Sequence, residues 1–193
     1  MKRVTVFCGS SLGTDEIFKT QAFLMGQTLA EQNIGLVYGG ARMGLMGIVA
    51  DGALDKGGEV IGVLPYFLQE REIAHEGLTN LILVDSMHER KTKMNELSEG
   101  VIGLPGGFGT LEELLEMITW AQLGLHKKPV GLLNVDGFYD PLRNLLDTMV
   151  NKGFLKPLSR EMLLVSDNID DLINQMNNYV APTIGKWITK EKL

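Results

Sequence analysis

Short apolar runs alternate with stretches of helical period along almost the whole chain. Arg3 to Cys8, Ile34 to Tyr38, Glu59 to Leu64, Leu81 to Val84, Val101 to Leu104, Val130 to Leu133 and Leu163 to Val165 each read as a strand of four to six residues, the last of three. Between them the apolar positions recur every three or four residues: Phe18, Ala22, Met25 and Leu29 in the first such stretch, Leu45, Ile48, Val49, Gly52 and Ala53 in the second. Ser86 to Glu99 and Thr110 to Leu123 read as helices. Asp140-Pro141 reads as a cap with proline in the first turn of another, and Asn168 as the cap of the last. Tyr66 to Asn80 is an irregular loop with room for one helical turn. Continuous Val, Ile and Leu runs alternating with helices predict a parallel sheet covered on both faces. The fold class is α/β, a Rossmann-like doubly wound sheet of about six or seven strands. One domain is expected over residues 1–179, with a C-terminal tail over 180–193.

Ligands of such sheets lie beyond the C-terminal ends of the strands. Three glycine-bearing loops fall there: Gly9 to Gly13, Gly39 to Gly44, and Gly106 to Gly109. The third is the most informative. Val101 to Leu104 is broken by Pro105, Gly106, Gly107 and Gly109, and a helical period begins at Thr110. Unpaired amides at a helix start, together with the helix dipole, favour an anion such as phosphate. A glycine turn that only packs tightly is the plainer reading. A Walker A run is absent, and Glu112 stands where the dinucleotide fingerprint needs its third glycine. A carboxylate there would repel a second phosphate, so a mononucleotide or sugar phosphate fits better than a dinucleotide.

Composition narrows the classes. The chain has 193 residues, 45% of them hydrophobic, and a net charge of −6. That charge argues against broad binding of nucleic acid or acidic membrane. No apolar run approaches a membrane span, and the start of the chain lacks the apolar core of a signal peptide. The single cysteine, Cys8, cannot form an internal disulfide, so the cytoplasm is the expected location. Cys8 reads as a small core residue. His75, His88 and His126 show no ligand spacing, and no metal is expected. Ser10 and Ser11 lack a nucleophile elbow and suit substrate binding or capping.

The helix opening at Ser86 begins with a capping box, Ser86 to Glu89. Met87, Met94 and Leu97 mark its buried stripe. Arg90 falls inside that stripe and Lys91 on its border. A buried arginine one turn from a helix N-terminus needs a negative partner. This is either a neighbouring carboxylate or the phosphate or carboxylate of a substrate, which guanidinium can grip bidentately. Glu113 has two readings as well. It completes a capping box with Thr110, or it places a carboxylate beside a sugar phosphate, where it could stabilise an oxocarbenium-like transition state. Glu112 points elsewhere around the helix. Met117 and Trp120 are read opposite the core face Leu111, Leu114, Leu115, Ile118 and Gln122, with Thr119 at the border. A helix apolar on both sides suggests a dimer contact or burial under the Leu123 to Pro129 loop.

These residues resemble the Lonely Guy (LOG) family. Pro105-Gly-Gly-Phe-Gly-Thr-Leu-Glu-Glu113 matches its P-G-G-x-G-T-x-x-E motif, and Met87-His-Glu-Arg-Lys91 its M-H-x-R-K segment. Gly39 to Gly47 is similar to its first glycine loop, with Ala41 in the place of the third glycine. The similarity runs from Val4 to about Tyr179. It implies a cytokinin riboside 5′-monophosphate phosphoribohydrolase, which cleaves the N-glycosidic bond of a purine nucleoside 5′-monophosphate, AMP in some members. It implies Arg90 and Glu113 as the catalytic pair, and Glu72, Arg90, Lys91, Gly106, Gly107, Phe108, Gly109, Thr110, Leu111, Glu112 and Thr119 as substrate contacts. No cofactor and no metal are implied, and a homodimer is expected. A non-catalytic nucleotide or cofactor carrier is the rival class. A lysine decarboxylase, the label once given to many members, is the rival enzyme.

Overall fold

A computed structural model describes residues 1–68 and 74–182. Among these residues seven strands form one sheet: β1 (Arg3–Phe7), β2 (Gly35–Tyr38), β3 (Val60–Pro65), β4 (Asn80–Val84), β5 (Gly100–Gly103), β6 (Val130–Leu133) and β7 (Leu163–Ser166). Their order is β4-β3-β2-β1-β5-β6-β7, and every neighbouring pair is parallel. The sheet grows one way from β1 through β2 to β4 and the other way from β5 to β7. Chain order across the sheet reverses between β1 and β5, and the crevice expected at such a switch point lies beyond the C-terminal ends of these strands.

The helices are α1 (Glu16–Glu31), α2 (Gly44–Asp55), α3 (Met87–Leu97), α4 (Phe108–Gln122), α5 (Asp140–Asn151), α6 (Pro157–Arg160) and α7 (Ile169–Asn177). The period-2 alternation of strand side chains divides the core in two. Val4, Val6, Leu36, Tyr38 and Ile102 face α1, α2 and α7. Phe7, Val37, Val63 and Val101 face the other way, in a cluster with Met94 of α3 and with Leu114 and Met117 of α4. The doubly wound α/β expectation is met, with seven strands.

Local differences from the sequence reading have local causes. The α4 helix begins at Phe108, two residues early, with Gly107 as its N-cap. Thr110 is therefore inside the first turn, and the Thr110–Glu113 capping box does not form. Its phase also differs: Leu114, Met117 and Ala121 are buried, whereas Leu115 is 39% exposed. Met117 thus belongs to the core face and not to an opposite one. The α5 helix starts at Asp140 itself, with Tyr139 as N-cap. Short α6 was not anticipated, since four residues carry no period. Around the irregular loop, a single 3-10 turn spans Tyr66–Leu68, and Ala74 bridges to Ala41. Glu72 and residues 183–193 of the expected tail lie outside the described residues.

Candidate active site

The three glycine loops converge above the crevice. Gly9 N–H donates to Pro105 O at 3.0 Å, and Leu45 N–H to Gly9 O at 3.0 Å. The first loop is thus held between the second and the third. Gly44 and Gly106 are glycines for packing. A Cβ on Gly44 would lie 2.2 Å from the Ser10 carbonyl carbon, and one on Gly106 would lie 2.1 Å from Thr110 Oγ1. Gly107 and Gly109 differ. Among the described residues a Cβ on either would meet no atom within 4 Å, and neither has positive φ. Among the described residues nothing requires glycine at these two positions, while a ligand approaching the backbone would.

The first helical bond of α4 runs from Leu111 N–H to Gly107 O, at 3.2 Å. The amides of Phe108, Gly109 and Thr110 precede it, and the Gly107 cap has no side chain to occupy them. They open onto a cavity of about 280 Å³ whose walls include Ser10, Met46, Arg90, Gly107, Phe108, Gly109, Thr110 and Glu113. A helix dipole and three unpaired amides thus face one wall, and a guanidinium and a carboxylate belong to the same cleft.

Arg90 is 5% exposed. Its Nε donates to Val63 O at 3.1 Å and its Nη2 to Gly39 O at 3.2 Å. Among the described residues no carboxylate pairs with it within 4.0 Å. The negative partner that the sequence demanded is supplied by two carbonyl dipoles, which orient the guanidinium without cancelling its charge. Ser86 caps α3 as expected, accepting from Glu89 N–H at 3.1 Å, while the Glu89 carboxylate returns to Asp85 N–H.

Glu113 is the sixth residue of α4, past any capping position. The charges of both catalytic candidates reach Cys8, which also lines the cleft. Burial pushes the Cys8 thiol far above its ordinary range, the Glu113 carboxylate adds to the rise, and Arg90 works against it. Cys8 is a protonated core thiol, as its reading as a small core residue requires.

The other expected contacts are placed apart from these walls. Lys91 Nζ lies 2.6 Å from Glu112 Oε1 and 2.8 Å from Glu116 Oε2. Gly106 lines a neighbouring cavity of about 300 Å³ with Leu12, Phe18 and Phe138, which also shares Ser10 and Gly107. Thr119 is exposed, its hydroxyl donating to Leu115 O at 2.6 Å. Leu111 is half-buried against the second core cluster. Met46 and Leu68 were missed as cleft residues. Met46 lies two residues past Gly44, in the first turn of α2, so its nearness to the second glycine loop was the available signal; Leu68 carried none.

A doubly wound parallel sheet with three glycine loops meeting at its switch point defines a protein of the Rossmann-like α/β class. The family model described as "Possible lysine decarboxylase" matches residues 46–176. The chain is 47% identical over 178 residues to the cytokinin riboside 5′-monophosphate phosphoribohydrolase LOG7 of Arabidopsis thaliana, covering 92% of this chain and 82% of that protein. It is 46% identical over 179 residues to the enzyme LOG of Oryza sativa subsp. japonica, covering 93% and 74%. The chain belongs to the Lonely Guy (LOG) family. A molybdenum cofactor binding protein of Rippkaea orientalis shares the fold at a TM-score of 0.68 and 22% identity, covering 92% of this chain and 96% of that one.

The description of the family model implies pyridoxal phosphate. That cofactor is held through a lysine amine, and among the described residues no lysine lines the cleft. The residues present do not fit it.

Proposed function

We propose that this protein is a nucleoside 5′-monophosphate phosphoribohydrolase that releases free purine base and ribose 5-phosphate. The single observation that carries this reading is the joining of Arg90, Glu113 and the unpaired amides of α4 in one cleft. The 5′-phosphate docks on the amides of Phe108, Gly109 and Thr110. The bond from C1′ to the base nitrogen breaks, and its electron pair leaves with the base, which takes up a proton. The sugar becomes oxocarbenium-like, and the Glu113 carboxylate stabilises that charge. Water adds to C1′ and gives up a proton. Arg90, oriented by Val63 O and Gly39 O, holds the substrate's negative charge. The names of the relatives support a cytokinin-type nucleotide, with AMP as the simplest substrate.

We further place the enzyme in the cytoplasm, since its one cysteine is free and buried. No helix among the described residues is long and apolar enough to cross a membrane. A homodimer through the outer side of α4 is supported by half-exposed Leu115 and not by the expected Met117 and Trp120 face, since Met117 is buried in the core and Trp120 packs against it. Sedimentation of the purified protein would test it.

The decisive assay is base released from AMP and from isopentenyladenosine 5′-monophosphate, wild type beside Glu113→Gln. Release by wild type and a fall of about a hundredfold or more in the folded variant is expected. No release from either nucleotide, with AMP still raising the melting temperature, would make the protein a carrier instead.

A further inference from the structure

Lys91 is an unusual lysine. It is 8% exposed, and its ammonium lies between two carboxylates four residues apart on a different helix. Glu112 accepts a hydrogen bond from it at 2.6 Å, and Glu116 Oε2 lies 2.8 Å from the same nitrogen. Burial alone would lower the Lys91 pKa, but its contacts to Glu112 and Glu116 outweigh it and the pKa is raised. The amine stays charged and engaged.

The position of this cluster matters more than its strength. The backbones of α3 and α4 approach each other at few points. Met94, Leu114 and Met117 join the two helices through a shared apolar cluster, and Lys91 joins them through charge, to Glu112 in the first half of α4 and to Glu116 just past its middle. Lys91 is the chain neighbour of Arg90, and Glu112 of Glu113. A tie between Lys91 and Glu112 therefore fixes the distance between the two groups on which the proposed reaction depends. Arg90 is anchored from behind by Val63 and Gly39 on the β2–β3 side of the cleft. On the α4 side, Glu112 and Glu116 join the helix to Lys91 of α3.

We propose that Lys91, Glu112 and Glu116 form a clamp that sets the spacing of Arg90 and Glu113, with Glu116 a positioning residue for the reaction. The inference rests on the phosphoribohydrolase reading. It assigns Lys91 to the scaffold, not to the substrate phosphate. Misplacement of a catalytic group by about 1 Å costs up to about a hundredfold in rate, so a loosened clamp lowers turnover more than binding.

The test measures kcat and KM for AMP in wild type, Glu116→Gln, Lys91→Met and the double variant, with melting curves alongside. Glu116→Gln keeps the side-chain shape and removes the charge. The expected result is a fall of about tenfold or more in kcat, KM within about twofold of wild type, and cooperative unfolding. The double variant is expected to be no slower than Lys91→Met alone, because both break one clamp. Glu112→Gln, at a more exposed carboxylate, serves if Glu116→Gln does not fold. Unchanged kcat in the glutamate variants overturns the clamp while the hydrolase reading stands. A raised KM with unchanged kcat in Lys91→Met also overturns it, making the lysine a substrate contact. Wild type that releases no base removes the hydrolase reading and the clamp with it.

Discussion

Arg90 Nη2 donates to Gly39 O at 3.2 Å, and a Cβ placed on Gly39 would lie only 2.0 Å from that same nitrogen. The backbone of the second glycine loop is at once the acceptor that aims the guanidinium and the surface that limits where it can go. Gly39 has no positive φ, so its demand for glycine comes from Arg90 and, at 3.0 Å, from the sulfur of Met46.

Gly39→Ala is therefore expected to displace the Arg90 guanidinium while leaving the fold in place. Base release from AMP should fall by about tenfold or more, with unfolding still cooperative and a cost of about 1–3 kcal/mol from overpacking. Kinetics paired with a denaturant titration check this. Wild-type turnover in the alanine variant would mean that Arg90 has another productive position.

Gly109 and Gly106 should separate ligand space from packing space. A Cβ on Gly109 meets nothing within 4 Å, and the residue sits in the first turn of α4. Gly109→Ala is expected to hold or raise stability, by at most about 1 kcal/mol given the poor helix propensity of glycine. It should raise KM for AMP about tenfold or more by filling the space beside the amides. Gly106→Ala should instead lower the melting temperature, since its Cβ would lie 2.1 Å from Thr110 Oγ1 and 2.8 Å from Gly9 N. Equal KM values for wild type and Gly109→Ala would remove the phosphate from this wall.

His126 gives a pH dependence of known sign. Its Nε2 lies 3.0 Å from Met117 O, and its Nδ1 accepts from Lys128 N–H at 3.2 Å. This selects the neutral tautomer with the proton on Nε2, because a protonated Nδ1 could not accept. Burial lowers the His126 pKa below its ordinary 6.5, Lys128 lowers it further, and the bond to Met117 only partly opposes them. The unfolded chain therefore takes up a proton near 6.5 while the folded chain does not. This contribution to stability is complete above that pH and is lost as the pH falls below it, levelling off only below the folded pKa. Melting temperatures from pH 7.5 to 5 should fall less steeply for His126→Gln than for wild type, whatever its starting value. Parallel slopes would refute the assignment.

The sequence by itself determined the class of fold and pointed to the place of the candidate site. Runs of Val, Ile and Leu between helical periods leave few arrangements other than a covered parallel sheet. A glycine turn between strand and helix exposes amides in any such sheet. The charge on Arg90, displaced onto an apolar stripe, was legible for the same reason: helical period alone shows which side is buried. The tertiary structure decided what periodicity cannot. It showed that α4 starts at Phe108, which turned Met117 inward and removed the capping role from Glu113. It gave Arg90 carbonyl partners from β3 and from the loop after β2, residues 27 and 51 positions away, in place of a carboxylate. It paired Lys91 with Glu112 and Glu116 across two helices. Local sequence fixes which way a side chain points along its own helix. What it meets there is set by how the elements cross, and that depends on the packing of the whole sheet.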